Sequence, residues 1–465
     1  MSDVQRVAGS FRDPAGYVFT HGDAVFRAAA PSAAPGFRQF LDSPLFGKLI
    51  AAQRLVGTEI VAESDWPIAH ESGGLIVRHE TIPFISYPYE WPFALLKAAA
   101  LLHLSVQIES LEHGFVLSDA SAYNVQFIGP RPVFIDALSF RPYRDGEVWA
   151  GHRQFCQQFL NPLLLQALNG VAYQNWFRGS LEGIESRDLA AMLPWSSRFS
   201  PSVLAHVLAP AYSAGRAAKQ GSVALSQARD VTLPKARYLG LLQQLRQWIE
   251  TLQPKGVDST TWQQYDVNNS YSDAEHEAKR RVVAAFCKRV KPARIVDIGC
   301  NTGEYAQLAL GSGAAMAVGL DFDQGALDKA HQRARDKTLN LLPLWQDAAN
   351  PSPGIGWRNK ERAPMAERTR FDAVLALAVE HHLAIGRNVP LDEVVDYLTG
   401  FAPQGIVEFV PKSDPMIQTM LALRGDIFPD YGQEQFETAL RKRARIVSSE
   451  AISSDGRMLY GFDRS

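Results

Sequence analysis

The chain of 465 residues is notable first for what it has little of. Cysteine is scarce. Cys156, Cys287 and Cys300 stand far apart, which excludes a disulfide framework and any closely spaced cysteine metal motif, and makes a reducing, cytoplasmic setting the expectation. A charge excess of one sign is also lacking. Lys and Arg total 47 and Asp and Glu total 49, so there is no basic surplus of the kind that nucleic acid selects, and no nucleic-acid partner is expected. No apolar run reaches the roughly 18 residues of a membrane span. The longest, residues 94–106, is interrupted by Lys97 and His103. The opening residues MSDVQRVAGSFRDP hold no apolar signal-peptide core. Internal repeats and low-complexity segments are missing too. What remains is 46% hydrophobic and 21% charged, an ordinary globular composition, in a chain long enough for more than one domain.

Residues 1–145 read as an α+β region of short strands, turns and one long helix. In that helix Leu95, Ala99, Leu102 and Val106 share one side. Residues 146–252 read as a helical lobe continuing it, punctuated by Pro162, Pro194, Pro201, Pro210 and Pro234. Residues 253–261 are turn-rich and suit a linker. From 262 to 465, apolar strand-like runs alternate with helical patterns, which predicts a parallel α/β sheet with crossover helices.

The most informative segment lies near the start of that last region. Ser272 and Glu275 form a capping-box pattern, and Val282, Phe286 and Val290 follow on one helical face before Pro292. An apolar run then feeds the sequence DIGCNTG, from Asp297 to Gly303. A strand that turns sharply into a helix while its backbone nears a ligand needs positions without Cβ atoms, which Gly299 and Gly303 supply. The first N–H groups of the helix are free for a polar ligand group, and Asp297 sits at the strand end where such sheets bind ligands. A second run ends at Asp321, placed to take two ribose hydroxyls. A third ends near Asp347, a fourth leads into Glu380, His381 and His382, and a fifth carries Glu408 into Pro411. Asp455 and Gly456 between the last two runs predict a terminal antiparallel hairpin.

VDIGCNTGEY, GLDFD, the aspartate after the third run and HHL after the fourth resemble the class I S-adenosylmethionine-dependent methyltransferase family. The resemblance implies a Rossmann-like, seven-stranded sheet with S-adenosylmethionine as cofactor and no metal. It places Asp297, Gly299, Cys300, Asn301 and Gly303 against the methionine part, Asp321 on the ribose, Asp347 and Ala348 at the adenine edge, and Ala376 and Leu377 beside the methyl group. A dinucleotide-binding domain would instead carry G-x-G-x-x-G, which this spacing does not match.

Methyl transfer asks the protein mainly for proximity and orientation, and a high-pKa hydroxyl acceptor also needs a base. His381 and His382 are the candidates, because histidine titrates near neutrality. The connection over residues 411–431, with Lys412, Asp414, Asp426 and Tyr431, should lie over the ligand end of the sheet and shape acceptor choice. Met416, Met420 and Leu421 read as core. Trp262, Tyr265 and Tyr271 are candidates for a lid. Residues 348–369 read as a solvated crossover.

In the N-terminal half, Asp119 is followed by Asn124, a strand, a turn at Gly129 and Pro130, another strand, and Asp136. This set resembles the catalytic loop and metal site of the protein kinase and aminoglycoside phosphotransferase superfamily. It implies a kinase-like domain in which Asp119 orients an acceptor hydroxyl while Asn124 and Asp136 hold Mg-ATP. The sequence departs from that pattern in several places. A glycine-rich phosphate loop is missing, Arg27 stands where the family uses lysine, its glutamate partner is absent between Pro35 and Leu55, and Asp136 is followed by Ala137 and Leu138. The leading expectation is a methyltransferase for a small-molecule or glycan acceptor, at oxygen or nitrogen, with an inactive kinase-like domain. A bifunctional kinase and methyltransferase, and a non-catalytic S-adenosylmethionine-binding scaffold, are the alternatives. Oligomeric state is not readable from the sequence.

Overall fold

The computed structural model describes residues 4–212, 232–257, 273–368 and 370–465. Two units emerge from the packing. The first takes Met1–Tyr89, Phe93–Gly256 and Gly354–Ala363; the second takes Glu90–Pro92, Val257–Pro353 and Pro364–Ser465. The capping residue Ser272, the aromatic trio Trp262, Tyr265 and Tyr271, and the end of the turn-rich stretch lie outside the described residues.

Unit 1 begins with alternating runs that form an antiparallel sheet. Strands β1 (Val4–Arg6), β2 (Gly16–His21), β3 (Ala24–Ala29), β4 (Thr58–Ile60) and β5 (Leu75–His79) lie in the order β1-β2-β3-β5-β4. Phe19 and Phe26 face each other across β2 and β3 with rings stacked 5.4 Å apart, a cross-strand pair that fixes the register. The helix Phe93–Glu112 follows. One apolar side was expected for it, but its buried residues run all the way round, because strands and helices surround it. It is long and apolar enough to cross a membrane by length and composition alone, yet 72% of its apolar window is buried inside the fold. Gln107 shows the same enclosure: its amide donates to Tyr238 and its carbonyl accepts from the Leu117 N–H. Two small hairpin-like pairs follow, β6 (Phe115–Leu117) with β9 (Phe140–Pro142), and β7 (Val125–Ile128) with β8 (Arg131–Phe134). Among the described residues, the remainder of unit 1 up to Thr251 is mainly helical.

Unit 2 is an α/β sheet of seven strands: β10 (Arg294–Ile298), β11 (Met316–Asp321), β12 (Leu341–Trp345), β13 (Ala373–Ala376), β14 (Gln404–Phe409), β15 (Arg445–Ala451) and β16 (Met458–Asp463). Their order is β12-β11-β10-β13-β14-β16-β15. The first five are parallel, and β16 inserts antiparallel between β14 and β15. The five parallel strands are buried almost throughout, as strands covered on both faces by crossover helices must be. The hairpin turn falls at Asp455 and Gly456, with Gly456 at φ 96°. The chain walks outward from β10 to β12 and then crosses back to β13, so strand order reverses beside β10. That reversal opens a crevice at the carboxyl ends of the strands.

One expectation about the connections is corrected. Residues 348–369 are not a solvated crossover throughout. Gly354–Ala363 packs as part of unit 1, where the buried Glu361 takes both a 2.9 Å and a 3.0 Å contact from the Arg12 guanidinium, and Arg362 lies 4.3 Å over the Tyr123 ring. Within unit 2, Arg368 is buried against Glu90. Each partner is hundreds of residues away along the chain, so local composition could not reveal it.

Candidate functional site

The crevice of unit 2 is a cavity of about 370 Å³, with residues 297–302 on one side and Asp321, Asp347, Leu377 and His382 among its other walls. Its shape starts from the bend after β10. Gly299 has φ 73°, in the left-handed region where a side chain is strained, and a Cβ there would already touch Val379 at 3.4 Å. The Gly299 and Cys300 N–H groups donate to the Leu320 carbonyl at 2.8 and 3.1 Å, tying the bend to β11. Cys300 turns its thiol into the core with Leu327 and Trp345, so only its backbone side is available to a ligand. Gly319 explains that fit, since a Cβ on it would meet the Cys300 sulfur at 2.8 Å.

Gly303 has a different task from the one expected. It does not line the cavity. At φ 76° it starts the helix Glu304–Gly311, and a Cβ would press on Leu341 at 3.0 Å and Ala330 at 3.4 Å. The glycine is required by helix-on-sheet packing rather than by ligand approach.

The acids converge as the strand ends bring them together. Asp297 is buried, and one of its carboxylate oxygens has no hydrogen-bond partner. Burial, together with the like charge of Asp321, pushes its carboxyl up to about 7. Asp321 accepts from the Asn301 N–H at 2.8 Å and from the Asp323 N–H at 2.9 Å, and burial pushes it up to about 6. Asp323 caps the helix Gln324–Asp336 through the N–H groups of Gly325 and Ala326 at 2.9 and 3.0 Å. Asp347 accepts from the Ala349 N–H at 3.0 Å and pairs with Arg387 at 3.2 Å, while Ala348 completes that wall.

At the end of β13 the expected residues separate. Leu377 lines the cavity, but Ala376 is buried within the strand and does not. Ala378, with φ 53°, and Val379 continue the wall. The expectation for His381 is corrected. It is fully buried off the cavity, neither ring nitrogen has a hydrogen-bond partner, and burial holds it down to about 3. His382 does line the cavity, yet burial and the neighbouring His381 ring, 4.0 Å away, hold it well below its ordinary range. Met420, read from sequence as core, also reaches the cavity wall.

A buried ionic network reaches this wall through Lys279 and continues behind it. Lys279 pairs with Glu408 at 2.6 Å, Glu408 with Arg457 at 3.3 Å, and Arg457 with Asp414 at 2.5 Å, so two cations meet two anions out of water. Neutralised this way, the charges can be buried, at the cost of fixing all four side chains. Glu380, held well above the carboxylate range by burial, faces the Val410 N–H at 2.6 Å and the Tyr431 hydroxyl at 3.0 Å. Sequence reading missed Lys279, Phe322, Ala378 and Arg387 as wall residues. Lysine on an exposed-looking helix and alanine after a strand carry no local signal of a cavity.

In unit 1 the three residues singled out are also gathered. The Asn124 amide donates to Asp119 at 3.0 Å and to Asp136 at 3.3 Å, and the Ser139 hydroxyl donates to Asp119 at 3.1 Å. Arg27 joins them, pairing with Asp136 at 3.0 Å and Asp13 at 3.4 Å. Burial and the charge of Asp136 push Asp119 up to about 6. Gln154 and Gln158 hold the loop by accepting from the N–H groups of Ala120 and Ala122 at 2.9 and 2.8 Å.

Five parallel strands, an antiparallel closing hairpin, a bare bend after the first central strand and acids at the next two strand tips define unit 2 as a class I methyltransferase fold. No family model matches the chain. It is 45% identical over 460 residues to nodulation protein NoeA of Rhizobium meliloti (strain 1021), covering 99% of this chain and 96% of that protein, and it belongs to the NoeA family. Solved structures similar to it include magnesium protoporphyrin IX methyltransferase ChlM from Synechocystis PCC 6803 with bound SAH, at 19% identity over 44% of this chain and 93% of that one, TM-score 0.32. N-methyltransferase NodS from Bradyrhizobium japonicum WM9 matches at 12% identity over 41% of this chain and 97% of that one, TM-score 0.31. The bifunctional kinase-methyltransferase WbdD matches at 15% identity over 43% of this chain and 42% of that one, TM-score 0.31.

Proposed function

We propose that unit 2 binds S-adenosylmethionine in this cavity and transfers its methyl group to oxygen or nitrogen of a small-molecule or glycan acceptor, in the nodulation setting named for its NoeA relative. The observation that carries this reading is the unpartnered, buried carboxylate oxygen of Asp297 beside the bare backbone of residues 299–301. An orphaned carboxylate in a cavity fits a ligand ammonium, which would restore its lost hydrogen bonding. Asp321 would take the ribose, Asp347 with Ala348 the adenine edge, and Leu377 with Ala378 would flank the transferring carbon. The cofactor supplies an electrophilic methyl group open to in-line displacement. The chain's part is to hold donor and acceptor in line and to exclude water.

The reading is tested by calorimetry with S-adenosylmethionine and its demethylated product, followed by radiolabelled methyl transfer to oligosaccharide and small-molecule extracts. Failure to bind either ligand would refute it. Tight binding of both without turnover on any extract would favour the scaffold alternative.

We further propose that unit 1 is a kinase-like domain without phosphotransfer activity. A five-stranded antiparallel sheet followed by a helical lobe, with Asp119, Asn124 and Asp136 converging, supports the kinship. The Arg27 guanidinium on Asp136 supports the inactivity, because it supplies the positive charge that a magnesium ion would bring.

A further inference from the structure

The sequence offered no cysteine pair for a metal, but histidine completes a different set in unit 1. His152 and Cys156 are spaced i, i+4 and therefore share one helical face. That helix, His152–Phe155, passes into a π-helical turn at Cys156–Leu160. His206 comes from a second π-helical turn, Leu204–Leu208. Such turns cost hydrogen-bond geometry and recur at functional positions. Here both deliver a side chain to the same point. His152 Nε2 lies 3.0 Å from His206 Nδ1 and 3.6 Å from Cys156 Sγ, and one ligand atom from each of the three falls within 4.8 Å of the others. Cys156 and His206 are buried, and Trp149 and Trp248 rings lie against the two imidazoles at 5.4 and 6.1 Å.

Hydrogen bonding alone accounts poorly for this convergence. His152 Nε2 carries a single proton or a single lone pair, yet it faces two heteroatoms at once. A cation at the centre would serve all three. Tetrahedral zinc, with Zn–N about 2.0–2.1 Å and Zn–S about 2.3 Å, sets N···N near 3.3 Å and N···S near 3.6 Å, close to what the free side chains already show.

We propose that His152, Cys156 and His206 bind a zinc-type divalent cation, with solvent free to complete the shell from the half-exposed His152 side. The site ties the helix of residues 152–160 to the segment of residues 201–208. The first of these carries Gln154 and Gln158, which hold the Asp119 loop. The metal is therefore structural to unit 1 and independent of the cavity in unit 2.

The test uses the full chain, freed of any histidine tag. Zinc is measured by plasma mass spectrometry after purification and after dialysis, and apo protein is titrated with cobalt(II). The proposal expects one metal per chain and a sulfur-to-cobalt charge-transfer band. Cys156→Ser should lose that band, and His206→Gln should lose stoichiometric metal, while the far-UV circular dichroism of the whole chain is retained as the control for folding. Wild-type protein that takes up neither zinc nor cobalt stoichiometrically, or a charge-transfer band that survives Cys156→Ser in folded protein, would overturn it.

Discussion

The two acid clusters of this molecule draw on the same residue types and end in opposite states. In unit 2, Asp297 keeps an oxygen with no partner beside an open cavity of about 370 Å³, and Asp321 is held only by backbone N–H groups. In unit 1, Asp119 is answered by Asn124 and Ser139, and Asp136 by Asn124 at one oxygen and by the Arg27 charge alone, without a hydrogen bond, at the other, all supplied by the unit itself. A site kept for a ligand retains hydrogen-bonding capacity that folding alone does not use. A cluster whose partners come from within the fold has most of that capacity filled already. The contrast turns on partners rather than on the acids, so it can be attacked one residue at a time.

The largest effect is expected at the bend. Gly299→Val places a β-branched residue at φ 73°, against Val379 and on the ligand's path. Backbone strain of this kind alone is about 1–3 kcal/mol, or roughly 5- to 150-fold, and obstruction of the cavity should take binding below detection. Calorimetry with S-adenosylmethionine checks this. Unchanged affinity would mean that the bend does not face the cofactor, and the contrast between the two clusters would lose its open member.

Next comes the charge on the strand-tip acids. Burial pushes the Asp297 and Asp321 carboxyls up to about 7 and about 6, so the folded state binds protons that the unfolded chain has released. Their contribution to stability is full below the unfolded carboxylate range, near pH 4, and is lost as pH rises through about 6 to 7. Cofactor binding should slope the other way. The ionised acids attract the ammonium and sulfonium, so affinity should fall as pH drops through the same window. Asp321→Asn should weaken binding by about 1–3 kcal/mol and flatten part of that slope. Thermal melts and titrations between pH 5 and 8 would show both trends, and parallel trends would contradict the assignment.

How much of this was legible beforehand follows from the range of each interaction. The bend, Asp321 and the closing hairpin were legible because each rests on local rules: glycine at positive φ, an acid at a strand tip, Asp-Gly in a tight turn. The cluster of Asp119, Asn124 and Asp136 was legible by spacing. Lys279 was not, because its burial depends on Glu408, more than a hundred residues on. Nor was the enclosure of Glu361, whose partner is Arg12. His381 and His382 were adjacent and equivalent by sequence, and only packing shows one ring in the interior and the other on the cavity wall. Gly303 was found for the wrong reason, since the glycine requirement was real but arose from Leu341 and Ala330.

Unit 1 offers the reverse experiment. Arg27→Met removes the cation between Asp136 and Asp13, and the exposed repulsion should destabilise the unit by about 1–2 kcal/mol, read as a lower denaturation midpoint. Wild-type protein should show no thermal shift with Mg-ATP. The variant should gain a magnesium-dependent rise, because the acid cluster then lacks its internal cation. A Mg-ATP shift in the wild type would instead revive the bifunctional reading.

The smallest effect is expected at His382, and it sharpens the comparison most finely. Burial and the adjacent His381 already hold this imidazole well below neutrality, so at pH 7 it is neutral and a weak base. A cationic sulfonium nearby would depress it further. His382→Gln should therefore cost less than about tenfold in methyl transfer, against the 10²–10⁴-fold expected for loss of a working general base. The pH profile is the more telling readout. If the acidic limb of the rate profile is unmoved by the substitution, His382 serves as cavity wall, and unit 2 works by orientation and charge placement alone. If the limb moves and the rate falls a hundredfold, an acceptor proton leaves through this ring, and the depressed basicity of the imidazole must be reversed on binding.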